Sequence, residues 1–265
     1  MRFDGITRMY GDEGAARLRQ AHVLIVGIGG VGSWVAEALA RSGIGGITLA
    51  DPDEVCVSNI NRQIQALDGT VGRMKVEVMA ERLRAIAPDC DIRQVPKFIN
   101  ESSIESLFDG PCDYVADAID GVMPKAGLIA RCCQAGIPIV TCGGSGGKCD
   151  PSLISVMDLA ATYNDRLLAF VRKKLRHVFD FPATGPFGVP CIFSPEPVRW
   201  PTADESCAPE TENPLAEEAG SSLNCDGRLG ALTFVTGVFG FHMAAHIVNA
   251  IAGVPFVAEA AQHNA

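Results

Sequence analysis

The chain has 265 residues, enough for one α/β domain with an appendage or for two small domains, and for a sizeable core either way. Hydrophobic residues make up 48% and charged residues 20%, a composition that excludes a disordered chain. The formal net charge of -9 at pH 7 excludes nucleic-acid binding through the overall field, so any such binding needs a local basic patch.

Residues 22–27, HVLIVG, are an apolar run closed by glycine, the pattern of a buried parallel strand. The loop GIGGVGS follows, and the spacing predicts a helix from about Val31 to Arg41. GITLAD (46–51) reads as a second strand ending in an acid. VGRMKVEVMAERLRAIAP reads as an amphipathic helix stopped by Pro88. DIRQVP is a short strand, and YVADAID (114–120) is another that again ends in an acid. PKAGLIARCCQAG makes a helix and IPIVTCGG a strand. This alternation predicts an α/β fold with a doubly wound, mostly parallel, Rossmann-like sheet.

Past Cys142 the character changes. GGSGGKCDPS is a loop, LISVMDLA a strand and NDRLLAFVRKKLRH a basic helix. Residues 195–222 are rich in Pro, Glu, Ala and Ser with a net acidic run, and are expected to form a mobile loop. The run 229–257 is long enough to suggest a membrane span. It holds His242, His246 and Asn249 and lacks a flanking Lys or Arg cluster, so the expectation is a long buried helix at a dimer interface and no membrane. Residues 1–150 are then the nucleotide-binding region, and 151–265 complete the same domain.

Ten cysteines show no C-x-x-C spacing, which argues against a paired-cysteine zinc site. The first turn is polar and mixed in charge, without a secretory pattern. The expectation is a reducing, cytoplasmic compartment and free thiols, many of them buried.

The glycines of Gly27-x-Gly29-Gly30-x-Gly32 allow a tight strand-to-helix turn and let backbone N–H groups approach phosphate. Asp51, at the tip of the second strand, can accept both hydroxyls of a ribose. To this point NAD and ATP are served equally. Asn59, Asn61, Arg62 and Gln63 break the tie. Hydride transfer needs a dry nicotinamide pocket, whereas cleavage of the α–β bond of ATP builds charge on phosphates, which a guanidinium can hold through two oxygens. Lys75, opening a helix one crossover later, would add a second positive charge. Asp120, on the carboxyl edge of the sheet, would hold Mg²⁺ against a triphosphate. Asp117, three residues earlier, points the other way by strand alternation and reads as structural. The catalytic candidates are thus Arg62, Lys75 and Asp120. Taken singly, Arg62 could be a surface ion pair and Lys75 a solvated helix face.

GIGGVG…D…SNINRQ…VGRMK…DAID resembles the ThiF/MoeB superfamily, the ubiquitin-activating-type adenylating enzymes. The resemblance implies binding of ATP and Mg²⁺ and adenylation of a carboxylate. On the family's pattern Gly29 falls in the phosphate loop and Asp51 is the ribose acid. Asn59 and Arg62 match its Asn-x-x-Arg pair, Lys75 its lysine and Asp120 its metal-associated aspartate. Two departures stand out. The family's two C-x-x-C zinc pairs are missing, and Gly5 stands where an N-terminal arginine would reach ATP across a dimer. The resemblance implies that Arg8 takes its place; a surface charge on an N-terminal helix is the alternative.

TCGGSGGKCDPSLISVMDLA, GVPCIFSPEPV and FVTGVFGF are similar to the subfamily that dehydrates threonylcarbamoyladenosine in tRNA. That similarity implies adenylation of the threonyl carboxylate, ring closure by the ureido group and release of AMP. It also implies a homodimer and a tRNA surface. Arg166, Arg172, Lys173, Lys174 and Arg176 are the densest basic cluster; charge alone fits an ordinary solvated face as well, and the resemblance favours tRNA. Cys191 and Cys225 read as buried or incidental thiols, with a thioester or persulfide role as the minor option. His242 and His246 read as core histidines rather than a metal pair. The rivals are an activating enzyme for a sulfur-carrier or ubiquitin-like protein, an NAD-dependent oxidoreductase and a non-catalytic scaffold. A sulfur-transfer protein stays open as a partner.

Overall fold

The computed structural model of the chain describes residues 2–100, 103–201, 207–209 and 229–254. Helix α1 (Asp4–Gln20) leads into β1 (His22–Val26), α2 (Gly32–Arg41), β2 (Gly46–Ala50), α3 (Lys75–Ile86) and β3 (Asp91–Val95). Then come β4 (Tyr114–Asp117), α4 (Val122–Ala135), β5 (Ile139–Cys142), β6 (Ser155–Asp158), α5 (Arg166–Val178) and β7 (Pro190–Phe193). Two short strands, β8 (Arg199–Pro201) and β9 (Cys207–Pro209), precede α6 (Thr233–Ala252).

Seven strands make one sheet in the order β3-β2-β1-β4-β5-β7-β6, parallel throughout except for β6, which runs antiparallel to β7. Every residue of β1 is buried, because helices cover both faces of the sheet. Strand alternation divides those residues between two cores. Val23 and Ile25 pack with Val35 and Leu39 of α2, Met79 of α3 and Phe239 and Met243 of α6. Leu24 and Val26 pack on the other face with Leu128 and Ile129 of α4 and Leu168 and Val171 of α5. The chain winds outward from β1 to β2 and β3, then returns to the other side of β1 with β4. This reversal opens a crevice at the carboxyl edge between β1 and β4, where open α/β sheets bind ligands.

Four details differ from the sequence expectations. β4 stops at Asp117, so Asp120 lies in the following loop rather than at the strand tip. The Asp117 carboxylate accepts the Ile119 N–H at 3.1 Å, which turns the backbone out of the sheet. β7 was not expected from the sequence; its four residues begin with Pro190 and pair in parallel with β5. Within the expected 195–222 loop, β8 and β9 pair as antiparallel strands, and most of the remainder lies outside the described residues. α6 occupies 20 residues of the long apolar run and ends at Gly253, whose φ of 77° terminates the helix in the left-handed region. By length and composition α6 could cross a membrane; here its Val235, Phe239, Met243 and Ile247 lie in the core beside α2.

Candidate active site

The site is assembled from loops at the carboxyl ends of β1, β2 and β4. Gly27 leaves β1 with φ 89°, and a Cβ there would stand 2.7 Å from the Ala118 carbonyl oxygen. Only glycine lets the two loops touch so closely. α2 begins at Gly32 with no side-chain cap and no acid in its first turn, so its positive end is open to an anion.

Asp51 follows β2 and is buried. Its Oδ2 accepts the Ile28 N–H at 2.6 Å and its Oδ1 accepts the Asp53 N–H at 2.9 Å. The Ile28 carbonyl accepts a 3.0 Å bond from Gln65 Nε2, so Ile28, inside the glycine loop, is gripped through both its N–H and its carbonyl. Burial pushes the Asp51 carboxyl above the usual carboxylate range, against the pull of Lys75 and of the two N–H donors.

Asn59 is buried at the heart of the next turn. Its Oδ1 accepts the Cys56 N–H at 3.0 Å, and its carbonyl accepts the N–H groups of Arg62 and Gln63 at 3.0 and 2.9 Å. Asn59 therefore builds the turn that carries Arg62. The Arg62 stem passes over the glycine loop, because a Cβ on Gly30 would lie 3.5 Å from its Cγ and Cδ. Nη1 donates to the Ser58 carbonyl at 2.6 Å and to Asn61 Oδ1 at 3.0 Å. A Cβ on Gly29 would lie 4.0 Å from Gln63 Nε2. Trp34 Nε1–H donates to the Arg62 carbonyl at 3.1 Å; the Thr236 hydroxyl lies 3.4 Å from the same oxygen and has its nearer acceptor in the Thr233 carbonyl at 3.1 Å. Asn61 Nδ2 donates to the Ala231 carbonyl at 2.7 Å, and the Thr233 hydroxyl donates to the Asn61 carbonyl. The start of α6, remote in sequence, thus holds the arginine in place. Trp34 reads as a packing residue in the sequence and Thr236 falls within FVTGVFGF, and nothing local marks either as a neighbour of Arg62.

Lys75 is the first residue of α3 and is buried. Its Nζ lies 2.7 Å from Asp53 Oδ2 and 3.7 Å from Asp51 Oδ1. The sequence pattern aims this charge at phosphate. In the structure it also offsets two carboxylates that would otherwise repel a polyphosphate. Asp120 is half-buried in the β4–α4 loop, two residues beyond Ala118, which is the residue that touches the glycine turn. Asp117, at the end of β4, is fully buried against Lys125 and Thr141.

Residues 5–265 match the ThiF family. The chain belongs to the ThiF family. It is 46% identical over 251 residues to the tRNA threonylcarbamoyladenosine dehydratase of Escherichia coli strain K12, spanning 94% of this chain and 92% of that protein. The protein of the same name from Haemophilus influenzae is 43% identical over 250 residues, with the same two coverages of 94% and 92%. The crystal structure of the E. coli dehydratase in complex with ATP matches with a TM-score of 0.80 at 42% identity, covering 98% of this chain and 96% of that one.

The other candidates of this ThiF-family chain lie on α1, α5, β7 and α6. Arg8 is exposed on α1. The basic cluster runs along α5, whose N-cap Asp165 accepts the Gly144 N–H at 2.9 Å just past β5. Arg166 is therefore at the carboxyl edge, whereas Arg176 lies about 15 Å further down the helix at 1.5 Å per residue. The five residues do not form one face. The Arg166 guanidinium lies 5.8 Å from the Phe170 ring, and Arg172 turns inward to donate to Thr162 Oγ1. Arg176 donates to the Pro182 carbonyl at 3.3 Å and covers the Phe187 ring at 5.1 Å. Lys173 and Lys174 are exposed. Cys191 is buried in β7, and burial pushes its thiol far above the range of a nucleophilic cysteine; Cys225 lies outside the described residues. His246 is buried edge-on to the Tyr114 ring, with centroids 6.4 Å apart.

Proposed function

We propose that this chain is an ATP-dependent tRNA threonylcarbamoyladenosine dehydratase, working through an acyl adenylate. One observation carries the reading. The glycine turn, Asp51, Arg62 and Lys75 lie together at the carboxyl ends of β1 and β2, with Asp120 in the loop after β4, in a chain collinear over more than nine-tenths of its length with a dehydratase whose structure holds ATP.

The chemistry follows from the placement. The glycine loop and the open end of α2 receive phosphates, and Asp51 accepts the ribose hydroxyls. An oxygen of the threonyl carboxylate attacks the α-phosphorus; the α–β bond breaks and pyrophosphate leaves with its electron pair. Arg62, with Nε and Nη2 bonded to no described residue, offers two parallel donors to the charge that gathers on the phosphates. Lys75 keeps Asp51 and Asp53 from opposing that charge. The ureido group then attacks the acyl carbon, AMP departs with the former carboxylate oxygen, and one proton is released. The nucleophile is tethered to its target, so closure gains an effective molarity of roughly 10⁵ M or more in favourable cases. No enzyme nucleophile is needed, which agrees with the inert Cys191.

Magnesium fits the donor set. Among the described residues no three His, Cys, Asp or Glu side chains form a metal cage. A single half-buried carboxylate, Asp120, suits a cation that takes one or two protein carboxylates and fills its other positions with phosphate and water. Bound there, magnesium would supply positive charge to the polyphosphate. The working form we infer is a cytoplasmic homodimer in which Arg8 reaches the neighbouring nucleotide. Residues 1–150 supply the adenylation region and 151–265 complete the same domain, with Arg166, Lys173 and Lys174 along α5 guiding the tRNA backbone. A sulfur-transfer protein is a further candidate partner.

The test is AMP release from radiolabelled ATP. Stimulation by threonylcarbamoylated tRNA and not by unmodified tRNA is the expected result. Stimulation by a sulfur-carrier protein instead would shift the assignment to carrier activation. Arg62→Ala should lower the rate at least about 100-fold, the scale for losing one transition-state donor, with the fold intact by circular dichroism. Full activity in that variant would remove Arg62 from the mechanism.

A further inference from the structure

Beneath Asp120 lies an ion pair that the reaction does not use. Lys125 of α4 and Asp117 at the end of β4 are both 0% exposed, with Nζ 3.0 Å from Oδ2. Lys125 Nζ also donates to the Ile119 carbonyl at 2.9 Å and to the Asp117 carbonyl at 3.4 Å. All its hydrogens are thereby engaged, which leaves none for a substrate. Thr141 of β5 donates to Asp117 Oδ2 at 2.6 Å. Asp117 Oδ1 accepts the Ile119 N–H at 3.1 Å. Ile119 is therefore clamped by its N–H on one partner and by its carbonyl on the other, and Asp120 is the next residue.

The clamped loop is also keyed to the glycine turn. The Ala118 N–H donates to the Val26 carbonyl at 2.9 Å, and the Ala118 carbonyl is the atom that forbids a side chain at Gly27. A displacement of residues 118–120 would move against the loop that receives the phosphates.

A buried ion pair is a poor way to gain stability, since apolar residues of similar volume often serve as well or better. An apolar pair, however, cannot grip a backbone through both its N–H and its carbonyl. We propose that Lys125 and Asp117 are positioning residues for Asp120: their ion pair fixes the Ala118–Asp120 loop against the glycine turn and sets where this carboxylate meets the nucleotide's metal. The proposal rests on the metal role of Asp120 given above.

The test compares Asp117→Leu/Lys125→Met, which removes both charges together, with Thr141→Val and with Asp120→Ala in the full chain. Three quantities are read: melting temperature, hydrogen exchange of the 118–120 amides, and the magnesium concentration that half-maximally tightens ATP binding. The double variant should stay folded, while exchange at Ile119 and Asp120 rises about tenfold or more as the local opening becomes easier. Its magnesium midpoint should rise about 10-fold, the scale for losing a group that orients a metal ligand. Thr141→Val, which loses one hydrogen bond, should shift the midpoint about threefold the same way and decides the matter if the double variant does not fold. A folded variant with wild-type exchange and a wild-type midpoint would overturn the proposal. Asp120→Ala separates the two ideas: an unchanged midpoint there would sink the metal role of Asp120, and the exchange data would still judge the clamp.

Discussion

Arg62 is aligned mainly by bonds to its backbone rather than to its side chain. Trp34 holds its carbonyl, Thr233 holds the carbonyl of Asn61 before it, and Asn59 builds its turn. Trp34→Phe keeps an aromatic ring and removes one donor, so a loss of about 1 kcal/mol, or roughly fivefold in the rate of adenylation, is expected with little change in melting temperature. Single-turnover measurement of pyrophosphate formation checks it. Asp51 has its own signature. A ribose needs it ionised, and burial has raised its carboxyl above the ordinary range. ATP affinity should therefore fall with acidification earlier than an exposed aspartate would allow, and the profile of Asp51→Asn should be flat over that window. The sign for stability is opposite. A carboxyl raised on folding contributes most in acid and loses that contribution as pH rises through the folded value, so Asp51 does not favour acid unfolding there. Titration of ATP affinity and of melting temperature on the same samples distinguishes the two effects.

At the scale of elements, α6 and α2 are joined where their side chains are smallest. A Cβ on Gly240 would stand 2.7 Å from Trp34 Cβ and 2.9 Å from the Val31 carbonyl. Gly240→Ala should cost about 1–3 kcal/mol through overpacking, measured by urea denaturation. Because α6 carries Thr233 and Thr236 and α2 carries Trp34, ATP turnover should fall more than stability alone accounts for. Helix α5 makes a different prediction. Reversing Lys173 and Lys174 to glutamate should weaken tRNA binding and leave ATP binding unchanged. The salt slope should fall by about 1 for each phosphate that the variant no longer neutralises. Unaltered tRNA affinity would move the interface off this helix.

For the whole molecule the question is what covers the outer side of α6. Phe234 is 53% exposed and Phe241 48%, on a helix whose opposite side is core. An apolar stripe of this kind suits a second copy of the chain. Sedimentation should show a dimer, and Phe234→Glu/Phe241→Glu should shift it toward monomer. If Arg8 serves the neighbouring site, inactive Arg8→Ala and Arg62→Ala chains mixed under exchange should regain activity, since one of the two sites in each mixed dimer is complete. Failure of mixing to restore turnover in a dimer shown to exchange would confine Arg8 to its own subunit.

Most of the strand and helix order, and the placing of the glycine turn, Asp51, Arg62 and Lys75 near one another, were legible because they depend on local pattern. Apolar runs ending in glycine or acid mark strands, and a guanidinium beside a phosphate loop calls for an anion. Asp120 was found but placed at a strand tip. It sits in a loop because the Asp117 carboxylate accepts the Ile119 N–H and Lys125, eight residues beyond Asp117, donates to the Ile119 carbonyl, and a lysine inside a helix carries no sign of full burial in the sequence. β7 was equally hidden, because four residues that begin with a proline become a strand only when β5 offers them an edge. The sequence determined by itself which groups could handle a nucleotide, since that follows from side-chain chemistry and short-range backbone geometry. Tertiary structure alone decided how they are held, through Trp34, Thr233 and the Lys125–Asp117 pair, because those bonds join segments up to 172 residues apart and exist only once the two cores have closed.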